Sequence, residues 1–437
     1  MPAPSVTQRQ ADEQAYDTKV VLNMASLLES FRVLDLTDHK GFFCGKILAD
    51  LGADVIKVEK PGGEAGRQIG PFYQNKPDPE KSLHWFAYNL NKRSITLNIN
   101  TPDGKAIFEK LAKSADFVIE SYPPGHMDNI GLGYTALKKI NPRIILTSIT
   151  PFGQTGPYSE YKGSDIVCMA MGGLAYITGN AEGTPVRVSF PQSYLLSSAE
   201  AAAATMIAHY HRERTGAGQH VDVSIQASVA GKLSNAVPTW ELSHTTLKRE
   251  GSYMFGRGAK LKMRLLWRCK DGYVTFAIMG GKLGAKSNQK IAEWIIRDGT
   301  APEFFKKIDW SSLDMAKQSQ KDQERIERVV GDYFSKYTKA ELYSKANEDG
   351  VLLCPQSSLK DVAENAQLQE RQFWMDIEHA ELDRSITYPG PFLKASGTPL
   401  NGRRRAPGIG EHNEEVFSGE LGLSGEEISV MRQAGII

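Results

Sequence analysis

What the chain lacks narrows it first. Across 437 residues there is no surplus of charge: 52 Lys and Arg offset 51 Asp and Glu. No global field therefore steers nucleic acid or an anionic membrane to it, and any phosphate recognition has to be local. Cysteine is scarce, and Cys44, Cys168, Cys269 and Cys354 lie far apart, with no CxxC and no Cys/His ligand spacing. That excludes a disulfide framework and argues against zinc, so no metal is expected. No apolar run approaches the roughly 18 residues of a membrane span, and the polar N-terminal stretch has no signal-peptide core. The expectation is a soluble, cytoplasmic protein with residues 1–30 as a flexible lead. No GxGxxG follows the first strand-like run, which removes the dehydrogenase fingerprint.

What is present from Phe31 onward is alternation. RVLDL (32–36), DVIKVE (54–59), SITLNI (94–99), DFVIES (116–121) and RIILTSIT (143–150) read as buried strands separated by helical segments. Thr101-Pro102 opens one of these helices with a cap and a proline at its first position. The alternation predicts an α/β fold with a largely parallel sheet, whose ligands sit beyond the carboxyl ends of the strands. The candidate ligand loops are 37–45, 59–70 and 121–131. Further on, 197–216 reads as a helix with Ser197 and Glu200 at capping-box spacing and Gly216 at its end. RLLWRCKDGYVTFAI (264–278) reads as a hairpin turning at Asp271-Gly272. At about 100 to 200 residues per domain the length suggests two domains. The expected layout is 31–230 for the large one, a connector over 231–252, a small domain over 253–350, and 351–437 returning to the large one.

One stretch concentrates acids and glycines. KGSDIVCMAMGGLAYITGNAEGTPVRVSFPQS (162–193) breaks an apolar helix on Gly172 and Gly173 and carries Asp165 and Glu182. Asp165 stands at a helix start, where a carboxylate caps free N–H groups and favours the dipole. Glu182, in a Gly/Asn-rich turn, is either a solvated turn residue or a nucleophile.

Read in order, KILADLGADVIKVEKPGG, NKRSITLNI, ADFVIESYPPG, INPRIILTSITPFGQTGP, the acidic stretch, TGAGQHVDVSI, CKDGYV and RAPGIGEHNEE resemble the class III CoA-transferases, the formyl-CoA transferase or carnitine CoA-transferase-like family. The resemblance covers Phe31 to the C-terminus. It implies a Rossmann-like large domain built from both ends of the chain, a small inserted α+β domain, and an interlocked dimer with a homologous subunit. It also implies coenzyme A or acyl-CoA as a substrate, an organic acid as the other, and no tightly bound cofactor. In the family the nucleophile is an aspartate in the segment matching ITGNAEGTP, where this chain has Glu182. The family's CoA positions fall on His39, Lys40, Lys60, Leu97, Ser121, Tyr122 and Asn129. At Asn129 the family commonly has arginine, and the family's glycine-rich flap is represented only by FGRGAK (255–260).

A carboxylate suits the implied chemistry. With a pKa of about 4 it is ionised at neutral pH, and a thiolate whose thiol pKa is about 8.5 leaves without a general acid. Backbone N–H groups of Gly172, Gly173 and Gly179 are candidate oxyanion donors. Two functions follow: a subunit that transfers CoA from a donor such as succinyl-CoA through Glu182, or a non-catalytic subunit completed by an aspartate-bearing homologue. Racemase-type members have a His before the acid at 165 and a second Asp downstream. Here Ser164, Gln192 and Ser193 stand in those regions, so the proton-transfer bases are missing. Phe42, Phe43, Tyr73, His84 and Trp85 are candidates for an aromatic-accepting pocket.

Overall fold

In a computed structural model of the protein, which describes residues 26–255, 261–398, 400 and 404–437, the apolar runs become one six-stranded sheet. Its strands are β1 (Arg32–Leu36), β2 (Asp54–Glu59), β3 (Arg93–Thr96), β4 (Phe117–Glu120), β5 (Ile145–Thr150) and β6 (His220–Ser224). All pair in parallel, in the order β3-β2-β1-β4-β5-β6. β5 is buried at every position because helices cover both faces. On one face pack α1 (Phe42–Asp50) and the long α7 (Gln192–Thr215), with Cys44, Leu48, Ala201, Ala202 and Ala208 in the core. On the other pack α3 (Pro102–Ser114), α5 (Tyr134–Ile140) and the chain's C-terminal residues. The strand order reverses between β1 and β4, the point where a doubly wound sheet opens a crevice for ligands.

The helix signals hold in part. Thr101 Oγ1 accepts the N–H of Gly104 at 3.1 Å, and Gly216 ends α7 with φ 76°. The capping box at Ser197 does not form. α7 begins at Gln192, and Ser197, fully buried inside it, donates to Tyr194 O at 3.2 Å while Glu200 pairs with Lys232. The buried start was hidden because Ser193 and Tyr194 face other elements rather than solvent.

The chain divides into two compact units. The first holds the described residues up to Leu174, with Val188–Val237 and Glu370–Ile437; the second holds Ala175–Arg187 and Pro238–Gln369. In the first, the C-terminal segment returns to cover the β3 edge: His412 N donates to Ser94 O at 2.9 Å and Thr96 N to Asn413 Oδ1 at 2.8 Å. The second has its own core, built on Trp267, Phe276, Tyr333 and Phe334. Its strands β7 (Leu266–Cys269) and β8 (Gly272–Thr275) form the expected hairpin. The register pairs Gly272 with Cys269, so the turn residues are Lys270 and Asp271, one position earlier than the Asp-Gly signal indicates. This unit runs past 350 because β9 (Cys354–Pro355) pairs with β8, and the expected connector holds a helix, Ala236–Ser243. Residues 1–25, and all of FGRGAK except Phe255, lie outside the described residues. Among the described residues no helix is long and apolar enough to cross a membrane.

Candidate active site

Three loops converge where the strand order reverses, all within the first unit. The turn after β1 is fixed along its length. Asp38 N donates to Ser121 Oγ at 2.8 Å, and Ser121 Oγ donates back to Asp38 Oδ1 at 2.9 Å, which ties it to the loop after β4. Lys40 N–H donates to Asp38 Oδ1 at 2.9 Å, and the Lys40 ammonium pairs with Asp38. Lys40 O accepts from Ser198 Oγ on α7 at 3.1 Å. The His39 ring meets Tyr194 edge-on, centroids 5.5 Å apart. Burial holds the His39 imidazole below its ordinary range, with Asp38 and Glu64 pulling the other way and Lys40 adding to the burial. Glu64, from the loop after β2, thus acts on His39, and it also raises the Tyr122 phenol beyond what burial does. Tyr122 lies against His126 at 4.5 Å, a flat surface of the kind an adenine covers.

Of the expected CoA positions, the structure brings His39, Lys40, Ser121 and Tyr122 together. Lys60 is exposed immediately beyond β2, and Asn129 is exposed at the end of α4 (His126–Asn129). Leu97 is 2% exposed with its side chain in the core, so a ligand would meet it through its backbone. The aromatic candidates divide between core and crevice. Trp85, on α2 (Leu83–Tyr88), and Phe42 are fully buried, Trp85 stacked under the Arg67 guanidinium at 3.7 Å, whereas Phe43, Tyr73 and His84 are half-buried.

Asp165 opens α6 (Asp165–Met171) but makes no side-chain cap. Its Oδ1 instead accepts from Ser193 N at 3.0 Å and Ser193 Oγ at 2.8 Å, gripping the start of α7. Its Oδ2 is buried without a hydrogen-bond partner. Glu182 belongs to the second unit, in an exposed turn closed by Gly183 N to Asn180 O at 3.1 Å and Val186 N to Thr178 O at 3.1 Å. Among the described residues no hydrogen bond or ion pair reaches its carboxylate. The oxyanion candidates shrink as well: Gly172 and Gly173 N–H groups are spent on Cys168 O at 2.8 Å and Ala170 O at 3.1 Å.

Sequence reading missed the charges beneath the crevice. Asp35, Lys57 and Lys92 are fully buried, and Lys57 and Lys92 each pair with Asp35, at 3.2 and 2.8 Å. Beside them Arg67 grips Glu59 at 2.7 Å and 2.8 Å. Glu120, buried at the end of β4, accepts Tyr122 N at 2.6 Å, and burial pushes its carboxyl up to about 7. A cavity of about 150 Å³ opens past it, lined by Ser148, Gln154 and His220 among others. The available signal was a charged residue inside each apolar run: Asp in RVLDL, Lys in DVIKVE. Among the described residues no cluster of His, Cys, Asp or Glu is placed to hold a metal ion.

Three comparisons bear on this arrangement. The sequence model described as CoA-transferase family III matches residues 28–413. A succinyl-CoA:(R)-benzylsuccinate CoA-transferase subunit, BbsE, of Thauera aromatica is 35% identical, over 93% of this chain and 97% of its own. A succinyl-CoA–L-malate CoA-transferase beta subunit of Chloroflexus aurantiacus is 30% identical, over 94% and 98%. Among solved structures, a CAIB/BAIF family protein from Brucella suis superposes with a TM-score of 0.77 at 26% identity, covering 91% of this chain and 100% of the other.

Proposed function

The chain belongs to CoA-transferase family III, and on that premise we propose that it is a subunit that moves CoA from succinyl-CoA to a substituted succinate. The observation that carries the reading is the clamped turn at Asp38–Lys40, where His39 and Lys40 meet Ser121 and Tyr122 at the reversal of strand order. Both relatives' names give succinyl-CoA as donor and a substituted succinate as acceptor, benzylsuccinate or malate. An aryl-bearing acceptor is the first to assay, because Phe43, Tyr88 and His84 form a half-buried aromatic group, with Tyr88 6.1 Å from Phe43 and 4.8 Å from His84. His84 in turn feels the charge of His39.

The transfer needs one enzyme carboxylate. Its oxygen bonds to the thioester carbonyl carbon and the C–S bond breaks, giving a mixed anhydride and CoA thiolate. The thiolate attacks the enzyme-side carbonyl, releases the donor acid and leaves CoA on the enzyme as a thioester. The acceptor carboxylate then runs the two steps in reverse and departs as its CoA ester. Glu182 stands in the nucleophile's place. A second reading puts the nucleophile in a homologous, aspartate-bearing partner. The bare, exposed Glu182 turn favours it, as do the names of two relatives that are themselves subunits. The partner also answers the exposed Tyr161, Phe190, Ile207 and Tyr210 of the first unit. The four free cysteines suit a reducing, cytoplasmic compartment.

The test is trapping. The chain, alone and with its partner, is incubated with succinyl-CoA and quenched with hydroxylamine, and peptides are mapped by mass. A hydroxamate on the Glu182 peptide supports the first reading, and one confined to the partner supports the second. No adduct and no transfer in either preparation sinks the transferase reading for this pair.

A further inference from the structure

Two lysines with no side-chain path to solvent hold both ends of the turn that carries His39 and Lys40. Lys57 Nζ, from β2, donates to Thr37 O and to Asp35 O at 3.1 Å. Lys92 Nζ, just before β3, donates to Phe42 O at 2.9 Å, to Asn89 Oδ1 at 2.9 Å and to Asp35 Oδ2 at 2.8 Å. Asp35 Oδ1 also accepts Thr37 N at 2.9 Å and Thr37 Oγ1 at 2.6 Å. The Phe42 ring lies 5.1 Å and 5.5 Å from the two ammonium groups. α1 presses so close that a Cβ on Gly45 would stand 2.2 Å from Asp35 Oδ2. Two cations against one carboxylate leave a single positive charge buried under the crevice.

Such a charge is expensive as a stabilising device, because desolvating an ion costs several kcal/mol and an apolar trio of equal volume is often as stable. Its placement is explained by a ligand that is itself anionic and needs the turn held in one conformation before it arrives. We propose that Lys57 and Lys92 are positioning residues for acyl-CoA: they pin Thr37 and Phe42, and with them His39 and Lys40, and lend the crevice a fixed positive field. The proposal rests on the CoA-transferase reading. It replaces, in a chain without a glycine-rich phosphate loop, the work such a loop would do.

The charge on Lys92 is the handle for testing it. Burial holds that ammonium down at about 8, against the pull of Asp35; Lys57 from β2 adds to the depression, and the Cys44 thiol from α1, itself pushed far up by burial, opposes it. Affinity for the ethyl thioether of CoA, which has no thiol to titrate, is measured by calorimetry from about pH 7 to pH 9 on the full chain in its native assembly. The expected result is a weakening of about tenfold as Lys92 loses its proton. Lys92→Met, checked for intact fold by circular dichroism, should start about tenfold weaker at pH 7 and show a flat profile. A flat wild-type profile overturns the proposal, and so does a Lys92→Met protein that keeps wild-type affinity and slope. The wild-type titration decides the matter even where the variant fails to fold. Wild-type protein that binds no CoA thioether at any pH overturns the functional reading as well, and so is told apart from failure of the positioning role alone.

Discussion

At the scale of single residues, Asp35 bears the most. Burial alone would raise its carboxyl, yet Lys57 and Lys92 hold it at about 2, below the ordinary 3.8. A carboxylate depressed in the folded state contributes stability above its unfolded pKa, and that contribution is lost as pH falls through the folded value. Asp35→Asn leaves both lysines without their counter-charge and is expected to cost about 3 kcal/mol at pH 7. The free energies of urea unfolding of wild type and variant should differ by that amount near neutrality and converge as pH is lowered towards the Asp35 value of about 2. Glu182 offers the opposite kind of experiment, because its exposed side chain leaves the fold indifferent to change. Glu182→Asp removes one C–C bond of about 1.5 Å, and a misplacement near 1 Å costs roughly 10²-fold in rate. If the chain supplies the nucleophile, steady-state transfer by the chain alone changes by about that factor, falling where the site is built around glutamate and rising where it is built around aspartate. An unchanged rate assigns the nucleophile to the partner.

At the scale of elements, the C-terminal segment does what no local signal announces. Pro407 O accepts both Arg67 Nη2 and Trp85 Nε1 at 2.9 Å, and Ile409 N donates to Glu80 Oε1 at 2.9 Å. The loop after β2 is thereby stitched to residues more than 300 positions away. Arg67→Met keeps the stem over Trp85 but strands the fully buried Glu59 with Ser94 as its remaining side-chain donor. The expected loss is about 3 kcal/mol, read as a lower urea midpoint of near-UV circular dichroism. This segment shows where sequence reading stops. RAPGIGEHNEE was legible as part of a family pattern, but its role as the cover of the β3 edge was not, because a strand's partner across the fold leaves no periodicity. The strands β1 to β5, Thr101 as a cap and Gly216 as a stop were legible because each is written locally in alternation, turn chemistry or a cap. The Asp35–Lys57–Lys92 group was not, because a charged residue in an apolar run reads as an interruption until its partners on neighbouring strands are known. Asp165 reads as a cap by position, and only the arrival of Ser193 shows that its carboxylate is used elsewhere.

At the scale of the whole molecule, the first unit leaves apolar surface that its own folding does not cover. Ile207 is 69% exposed and Tyr210 64% exposed, three residues apart and therefore on one face of α7. The buried residues of α7, Ala201, Ala202, Thr205, Ala208 and Arg212, occupy the face turned to the sheet. Small side chains there bring the helix close, and large ones on the outer side wait for a partner. A lone exposed apolar residue is ordinary, but two large ones on one helical face, in a unit that also exposes Tyr161 and Phe190, suit the surface that the proposed partner subunit would cover. Placing charge there should break the assembly without touching either core. Ile207→Asp combined with Tyr210→Lys is expected to shift the protein from an oligomer to a monomer of 48.2 kDa, measured by light scattering on a sizing column. Its circular dichroism should match that of wild type, and its free energy of urea unfolding should fall by no more than the lost assembly contributes by mass action. An unchanged mass would mean that this face of α7 is solvent-facing and does not receive the proposed partner subunit. Transfer activity that falls with the mass, and returns at high protein concentration, would tie the assembly to the chemistry.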